Sequence, residues 1–236
     1  MWLLDENGRI HHTTRKALST DLGIVKLKGA RVGTVLRSHL GHKFLVVEPN
    51  YLDFIERMKR GPQIIHPKDV GIIVTYLGVK SGDRVADIGA GSGGMTFYLS
   101  RIVGKKGRVY AYERDERFVE ILKENKNLLN VKNVIIRQED GRNIRERDLD
   151  GAVVDVKEPR EVLEPIRKSL KPGASLAIYL PNITQVKELL EGLEGWIKVS
   201  VFEILKRDWV VKEKVLRPEH RLLGHTGFIT ILRKFP

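Results

Sequence analysis

Between residues 85 and 95 the chain reads Val85-Ala86-Asp87-Ile88-Gly89-Ala90-Gly91-Ser92-Gly93-Gly94-Met95. A buried strand ending at Asp87, a glycine turn and the start of a helix would set free backbone amides against a ligand, because glycine permits both the tight turn and the close approach. Gly89, Gly91, Ser92, Gly93, Gly94 and Met95 are therefore candidate contacts to a nucleoside-bearing cofactor. Gly89, Gly91 and Gly94 also satisfy the dinucleotide fingerprint, so hydride transfer stands beside methyl transfer as a reading. Asp87 and the third glycine, Gly93, favour S-adenosylmethionine, whose ammonium and carboxylate need an acceptor and amide donors rather than a pyrophosphate cradle.

More acids follow at strand-sized intervals. Glu113 closes the next apolar run, 22 residues beyond Gly91, where a carboxylate can accept both ribose hydroxyls. Asp140 follows a third run, in place to accept an adenine amino group. Asp155 follows a fourth, Gly151-Ala152-Val153-Val154, close to where a transferable methyl would lie. It also reads as the N-cap of the helix that starts after Pro159. Any one of these acids could be an ordinary loop residue, but acids at successive strand ends gather on the ligand-binding edge of an open sheet. Tyr179 ends a fifth run on that edge, or packs within the sheet. Of the histidines, His11 and His12 fall in a β-rich segment and His39 and His42 in a glycine-flanked loop, with no metal-ligand spacing, so no metal is expected.

These residues need a sheet to position them. Candidate strands 84–88, 108–113, 133–138, 151–156 and 175–179 alternate with helix-length segments 67–77, 94–103, 116–127, 160–170 and 184–191, the rhythm of a doubly wound, mostly parallel α/β sheet. Runs at 198–205, 209–216 and 228–232 predict an antiparallel C-terminal edge hairpin. Upstream, apolar runs at 23–27, 34–36 and 44–47 separated by glycines predict a small β domain. A helix over 51–60 follows, stopped by Gly61–Pro62, so residues 1–60 and 61–236 read as two domains.

Composition narrows the classes. The 236 residues are 42% apolar and 31% charged, enough for a large and a small domain. The absence of cysteine excludes disulfides, thiol nucleophiles and cysteine-held metals, and suits the cytoplasm. The longest uncharged run, 14 residues from Gly173 to Val186, is too short to span a membrane. The N-terminal segment, acidic at Asp5 and Glu6, does not read as a secretory signal. Of the net charge of +12, residues 1–60 carry 11 Lys/Arg against 6 Asp/Glu and residues 206–236 carry 8 against 3, leaving a nearly neutral middle. Basic ends around a neutral core suit a polyanionic partner.

The sequence resembles the tRNA (adenine-58-N1)-methyltransferases of archaea and bacteria. The resemblance is carried by Gly61-Pro62-Gln63-Ile64-Ile65-His66-Pro67-Lys68-Asp69, the glycine loop, Asp155 with Pro159, Tyr179-Leu180-Pro181-Asn182-Ile183-Thr184-Gln185-Val186, and Gly224-His225-Thr226-Gly227-Phe228. It implies a class I, Rossmann-like methyltransferase fold behind a small N-terminal β domain, a homotetramer, and methylation of the tRNA T-loop at position 58, in archaeal relatives also at 57. It also implies Gln63 among the cofactor contacts, and Tyr179 and His66 as faces that receive an extruded adenine beside Asp155. Many bacterial members have Tyr at position 66. Lys157 stands where relatives commonly carry a more apolar residue. Arg31, Arg37, Lys43, Arg217 and Arg221 are then candidates to hold the RNA backbone. A small-molecule methyltransferase, a dinucleotide-dependent oxidoreductase and a non-catalytic RNA-binding module are the competing readings.

Overall fold

The computed structural model describes residues 1–61 and 63–235. The chain divides into two compact units, Met1–Met58 and Lys59–Pro236.

The first unit is built on strands β1 (Trp2–Asp5), β2 (Ile10–His12), β3 (Ala17–Thr20), β4 (Gly23–Lys26), β5 (Val35–Arg37) and β6 (Lys43–Val47). A four-stranded sheet in the order β2-β1-β6-β5 stands beside the β3-β4 hairpin. Leu3, Leu18, Val25, Leu27, Phe44 and Val46 close their core. Helix α1 (Tyr51–Arg57) opens on a capping box between Asn50 and Asp53. It ends at Arg57, three residues earlier than its apolar spacing suggests. Pro62, expected to stop it, lies outside the described residues. The histidines here have structural partners: His11 pairs with the buried Asp5 at 2.9 Å, His42 with Glu6 at 2.6 Å, and His39 Nδ1 accepts from the Ile24 amide at 2.9 Å.

The second unit alternates α2 (Pro67–Leu77), β7 (Arg84–Ile88), α3 (Gly94–Val103), β8 (Arg108–Tyr112), α4 (Glu116–Leu128), β9 (Val134–Arg137), β10 (Leu149–Val154), α5 (Arg160–Ser169), β11 (Leu170–Leu180) and α6 (Ile183–Leu190). Strands β12 (Trp196–Phe202), β13 (Trp209–Lys212), β14 (Val215–Pro218) and β15 (Phe228–Lys234) follow. The seven-stranded sheet runs β12-β15-β11-β10-β7-β8-β9, with the order reversing at β7. Strands β11, β10, β7, β8 and β9 are mutually parallel. Parallel pairing buries both faces, which is why Val85, Ala86, Val109, Ala111, Ala152 and Val153 are fully enclosed.

Period-two alternation gives each face its helices. Ile88, Tyr112, Val154 and Ile178 share a cluster with Val162 and Ile166 of α5 and Val186 and Leu189 of α6. Helix α3 packs on β7 and β8, and α2 on β11 and β15.

The C-terminal end departs from the simple edge hairpin. Strand β15 lies inside the sheet, antiparallel to both β11 and β12. Residues 209–216, expected as one strand, fold instead as the separate β13-β14 hairpin, turning at Glu213-Lys214. No Gly, Pro or Asn marks that turn, and the apolar residues on either side conceal it.

Candidate active site

Register brings the strand ends together. Val154 pairs with Ile88 and Ile178, and Ile88 with Tyr112, so Asp155, Gly89 and Glu113 leave the sheet side by side at its carboxyl edge, next to Tyr179 near the end of β11. This edge, at the strand where the order reverses, is where open α/β sheets hold ligands.

Gly89 (φ +84°) permits the crossing there. A Cβ on it would stand 2.1 Å from the carbonyl oxygen of Asp155, a position no side chain can share. Gly93 (φ +95°) caps α3, and a Cβ there would meet the Phe97 ring at 2.2 Å.

A cavity of about 480 Å³ opens at this point. Of the residues picked out from the sequence, Gln63, Asp87, Gly89, Gly91, Ser92, Gly94, Met95, Glu113, Asp140 and Asp155 line it. Gly93 shapes the turn from behind. Tyr179 and His66 are not among the lining residues. Tyr179 is buried with its hydroxyl 3.3 Å from Asp69, and His66 caps α2 by accepting from the Lys68 amide at 3.4 Å. His66 instead borders a second cavity of about 340 Å³ together with Lys206, Asp208 and Arg221. Asp155 does not cap a helix, because α5 begins at Arg160 with Pro159 at the cap position. Lys157, unexplained in the sequence, lines the main cavity.

The carboxylates differ in their partners. Glu113 accepts from the Gly91 amide at 2.9 Å and, through its other oxygen, from the Asp115 amide at 2.9 Å. Asp140 accepts from the Arg142 amide and guanidinium and from Arg114. Burial raises its pKa, but these donors outweigh it and hold the pKa below the usual value. Asp87 is buried, takes a hydrogen bond from the Thr96 hydroxyl, and is pushed up to about 6 by desolvation and then by the charge of Glu113. Asp155 is pushed up to about 7 by desolvation, then by Asp87 and Glu113. The site therefore concentrates negative charge that a cation would relieve.

Sequence reasoning missed the residues that fix the rim. Asn125 of α4, fully buried, accepts from the Lys59 amide and donates to the carbonyls of Lys59 and Ser92, each at 2.9 Å. The Ser92 hydroxyl takes the Gly61 amide at 2.9 Å. Residues 59–61 are thereby fastened to the glycine loop, just ahead of Gln63. Mid-helix asparagine gives no local signal of such a role.

Arg31, Arg37 and Lys43 are exposed on the first unit. Arg217 is partly buried in β14, and Arg221 borders the second cavity. Among the described residues no group of three His, Asp or Glu side chains is placed to hold a metal ion, and no helix is long and apolar enough to cross a membrane.

Comparison with known proteins identifies the family. Residues 54–220 match the family model described as the tRNA methyltransferase complex GCD14 subunit. The tRNA (adenine(57)-N(1)/adenine(58)-N(1))-methyltransferase TrmI of Methanocaldococcus jannaschii is 37% identical over 99% of this chain and 94% of its own. Two solved structures cover the whole chain. A SAM-dependent O-methyltransferase from Thermotoga maritima has a TM-score of 0.85, 33% identity and 92% of its chain covered. The tRNA (m1A58) methyltransferase TrmI from Aquifex aeolicus has a TM-score of 0.81, 30% identity and 97% covered. With its acids standing at the ends of β7, β8 and β10 around the glycine turn, and with most of its length matched, the chain belongs to the GCD14 family of tRNA methyltransferase subunits.

Proposed function

We propose that this protein transfers a methyl group from S-adenosylmethionine to N1 of adenine in the T-loop of tRNA, at position 58 and, as the name of the M. jannaschii relative records for that protein, at 57. The observation that carries the reading is Asp155, a recessed carboxylate at the carboxyl end of β10, opening into the cavity that Asp87 and Glu113 also line.

The donor set fits the cofactor. Asp87 suits its ammonium and Asp140 the adenine amine, and the glycine turn lets the cofactor come close to the backbone. Glu113 has lone pairs to spare for the ribose hydroxyls beyond the two amides it already holds. When bound, S-adenosylmethionine supplies an electrophilic methyl on a sulfonium, and the sulfur keeps the electron pair of the broken S–C bond. The remaining work belongs to the chain. Adenine N1 is a weak neutral nucleophile, and methylation makes the base cationic. Asp155 accepts a hydrogen bond from the exocyclic amine, which directs electron density toward N1, and its charge stabilises the cation until a proton leaves. A T-loop adenine must be extruded to reach this edge. Tyr179 and His66 receive it, and Arg31, Arg37, Lys43, Arg217 and Arg221 hold the backbone. The family resemblance points to a homotetramer working in the cytoplasm.

The test is mass spectrometry of nucleosides from an unmodified tRNA transcript incubated with the protein and S-adenosylmethionine. N1-methyladenosine at 58 is expected. Methylation confined to a small-molecule hydroxyl, or heat with NADH and none with S-adenosylmethionine in calorimetry, would overturn the reading.

A further inference from the structure

Two stretches that set the sequence apart, one before α2 and one before β15, meet in a single buried polar knot. Lys68, 7% exposed, has all three of its protons placed: on Asp69 at 2.7 Å, on the Ile204 carbonyl at 2.7 Å and on the Thr226 hydroxyl at 2.6 Å. Asp69, fully buried, uses its second oxygen to accept from Thr226 at 2.7 Å and from the Tyr179 hydroxyl at 3.3 Å. Gly227 presses on the same ring, since a Cβ there would stand 2.4 Å from Tyr179 Cζ. On the other side of Thr226, His225 bridges the Pro181 carbonyl and Glu203, each at 2.9 Å.

None of these residues lines the cofactor cavity, yet the knot grips one side chain that stands next to it. Tyr179 is one strand over from Asp155, in register with it and on the same face of the sheet, because Val153 pairs with Ala177. Burial and the charges of Asp69 and Asp155 both keep the phenol protonated, so it stays a donor to Asp69.

We infer that Asp69 and Thr226 are positioning residues for Tyr179: with Lys68 neutralising and anchoring Asp69, they fix the phenol ring in the orientation that meets the acceptor base beside Asp155. The inference rests on the proposed methyl transfer to a base at this edge. A knot of a charge pair, a hydroxyl and a phenol with each donor matched to an acceptor has one low-energy arrangement, so it defines ring orientation more sharply than apolar packing does. The knot joins α2, β11 and the 224–227 loop, three segments that sheet hydrogen bonds alone would leave to move separately.

Thr226→Val is the chosen probe, since it removes the hydroxyl, keeps the shape and leaves the charge pair in place. The protein would be labelled with 3-fluorotyrosine, and the Tyr179 signal among the six tyrosines assigned with Tyr179→Phe. The expected result is a shifted or broadened Tyr179 resonance, single-turnover methylation of tRNA slowed by roughly tenfold to 10²-fold, and a cofactor dissociation constant changed by less than about twofold. Thr226→Ser should restore signal and rate together, which a general loss of stability would not produce. Tyr179→Phe and Thr226→Val combined should cost no more than the worse single variant, because both act through the same Asp69 oxygen. If Thr226→Val fails to fold, Tyr179→Phe carries the same kinetic test. An unmoved Tyr179 resonance with a wild-type single-turnover rate overturns the inference. Wild-type protein that methylates no tRNA overturns the reading beneath it, a different outcome.

Discussion

Asp155 shows what a single residue can be asked to do. Its rival role as a helix cap is gone, so Asp155→Asn isolates its charge. The turnover rate should fall by about 10²–10³, the equivalent of ~3–4 kcal/mol of lost charge stabilisation in a desolvated site, with cofactor affinity reduced far less. Single-turnover assays and calorimetry on the same preparation check both. The same residue carries a pH prediction. In the free protein its pKa is raised to about 7 and that of Asp87 to about 6, so folded protein holds these protons more tightly than unfolded chain does. Their stabilising contribution is complete below the unfolded values near 4 and is lost as pH rises through about 6 to 7. Asp155→Asn should therefore melt higher than wild type at pH 8, with a much smaller gap at pH 5, as thermal scans at the two values would record. For kcat/KM toward cofactor, which reports the free enzyme, activity should rise with pH through about 7 as Asp155 ionises. The acids were legible in the sequence because each follows an apolar strand. Asn125, Lys68, Asp69 and Thr226 were not assigned roles, because, the neighbouring Lys68–Asp69 pair apart, their partners lie 33 to 158 residues away and leave no local pattern.

At the scale of elements, the strands and helices of the parallel sheet followed closely from alternating apolar rhythm, with β7, α2 and α3 at the expected limits. The small β unit was harder to read. Strands β1, β2 and β3 are three or four residues each, and their buried positions, such as Leu3 and Leu18, are too few to set a period. The β13-β14 turn escaped for want of a turn residue. One element-level joint invites a test. Asn125 makes three hydrogen bonds to backbone around Lys59 and Ser92, and Asn125→Ala would leave those buried groups unpaired. A loss of about 2–4 kcal/mol in unfolding free energy is expected, along with weaker cofactor binding as Gln63 and the glycine loop lose their common support. Denaturant titration with and without S-adenosylmethionine measures both. A variant as stable as wild type would mean that water replaces the side chain without cost.

For the whole molecule, charge and chain order matter most. If the basic ends contact RNA, tRNA affinity should fall steeply with salt, each neutralised phosphate adding about −0.7 to −0.9 to the log–log slope. Deleting residues 1–58 should flatten that slope while cofactor binding survives, provided the shortened chain still melts cooperatively. Equal slopes for the two proteins, from filter binding across a salt series, would remove the first unit from the RNA contact. Chain order has its own consequence through β15, which is made after both β11 and β12 and fills the gap between them. Until Phe228 and its successors emerge, β11 has an open edge, and Thr226 and Gly227 have only just become available to Tyr179. A nascent or prematurely terminated chain can therefore build the glycine turn and its acids, but not the paired sheet behind Tyr179. Synthesis itself orders the assembly, with the cofactor side of the cleft able to form first and the acceptor side completed only once β15 has emerged and paired.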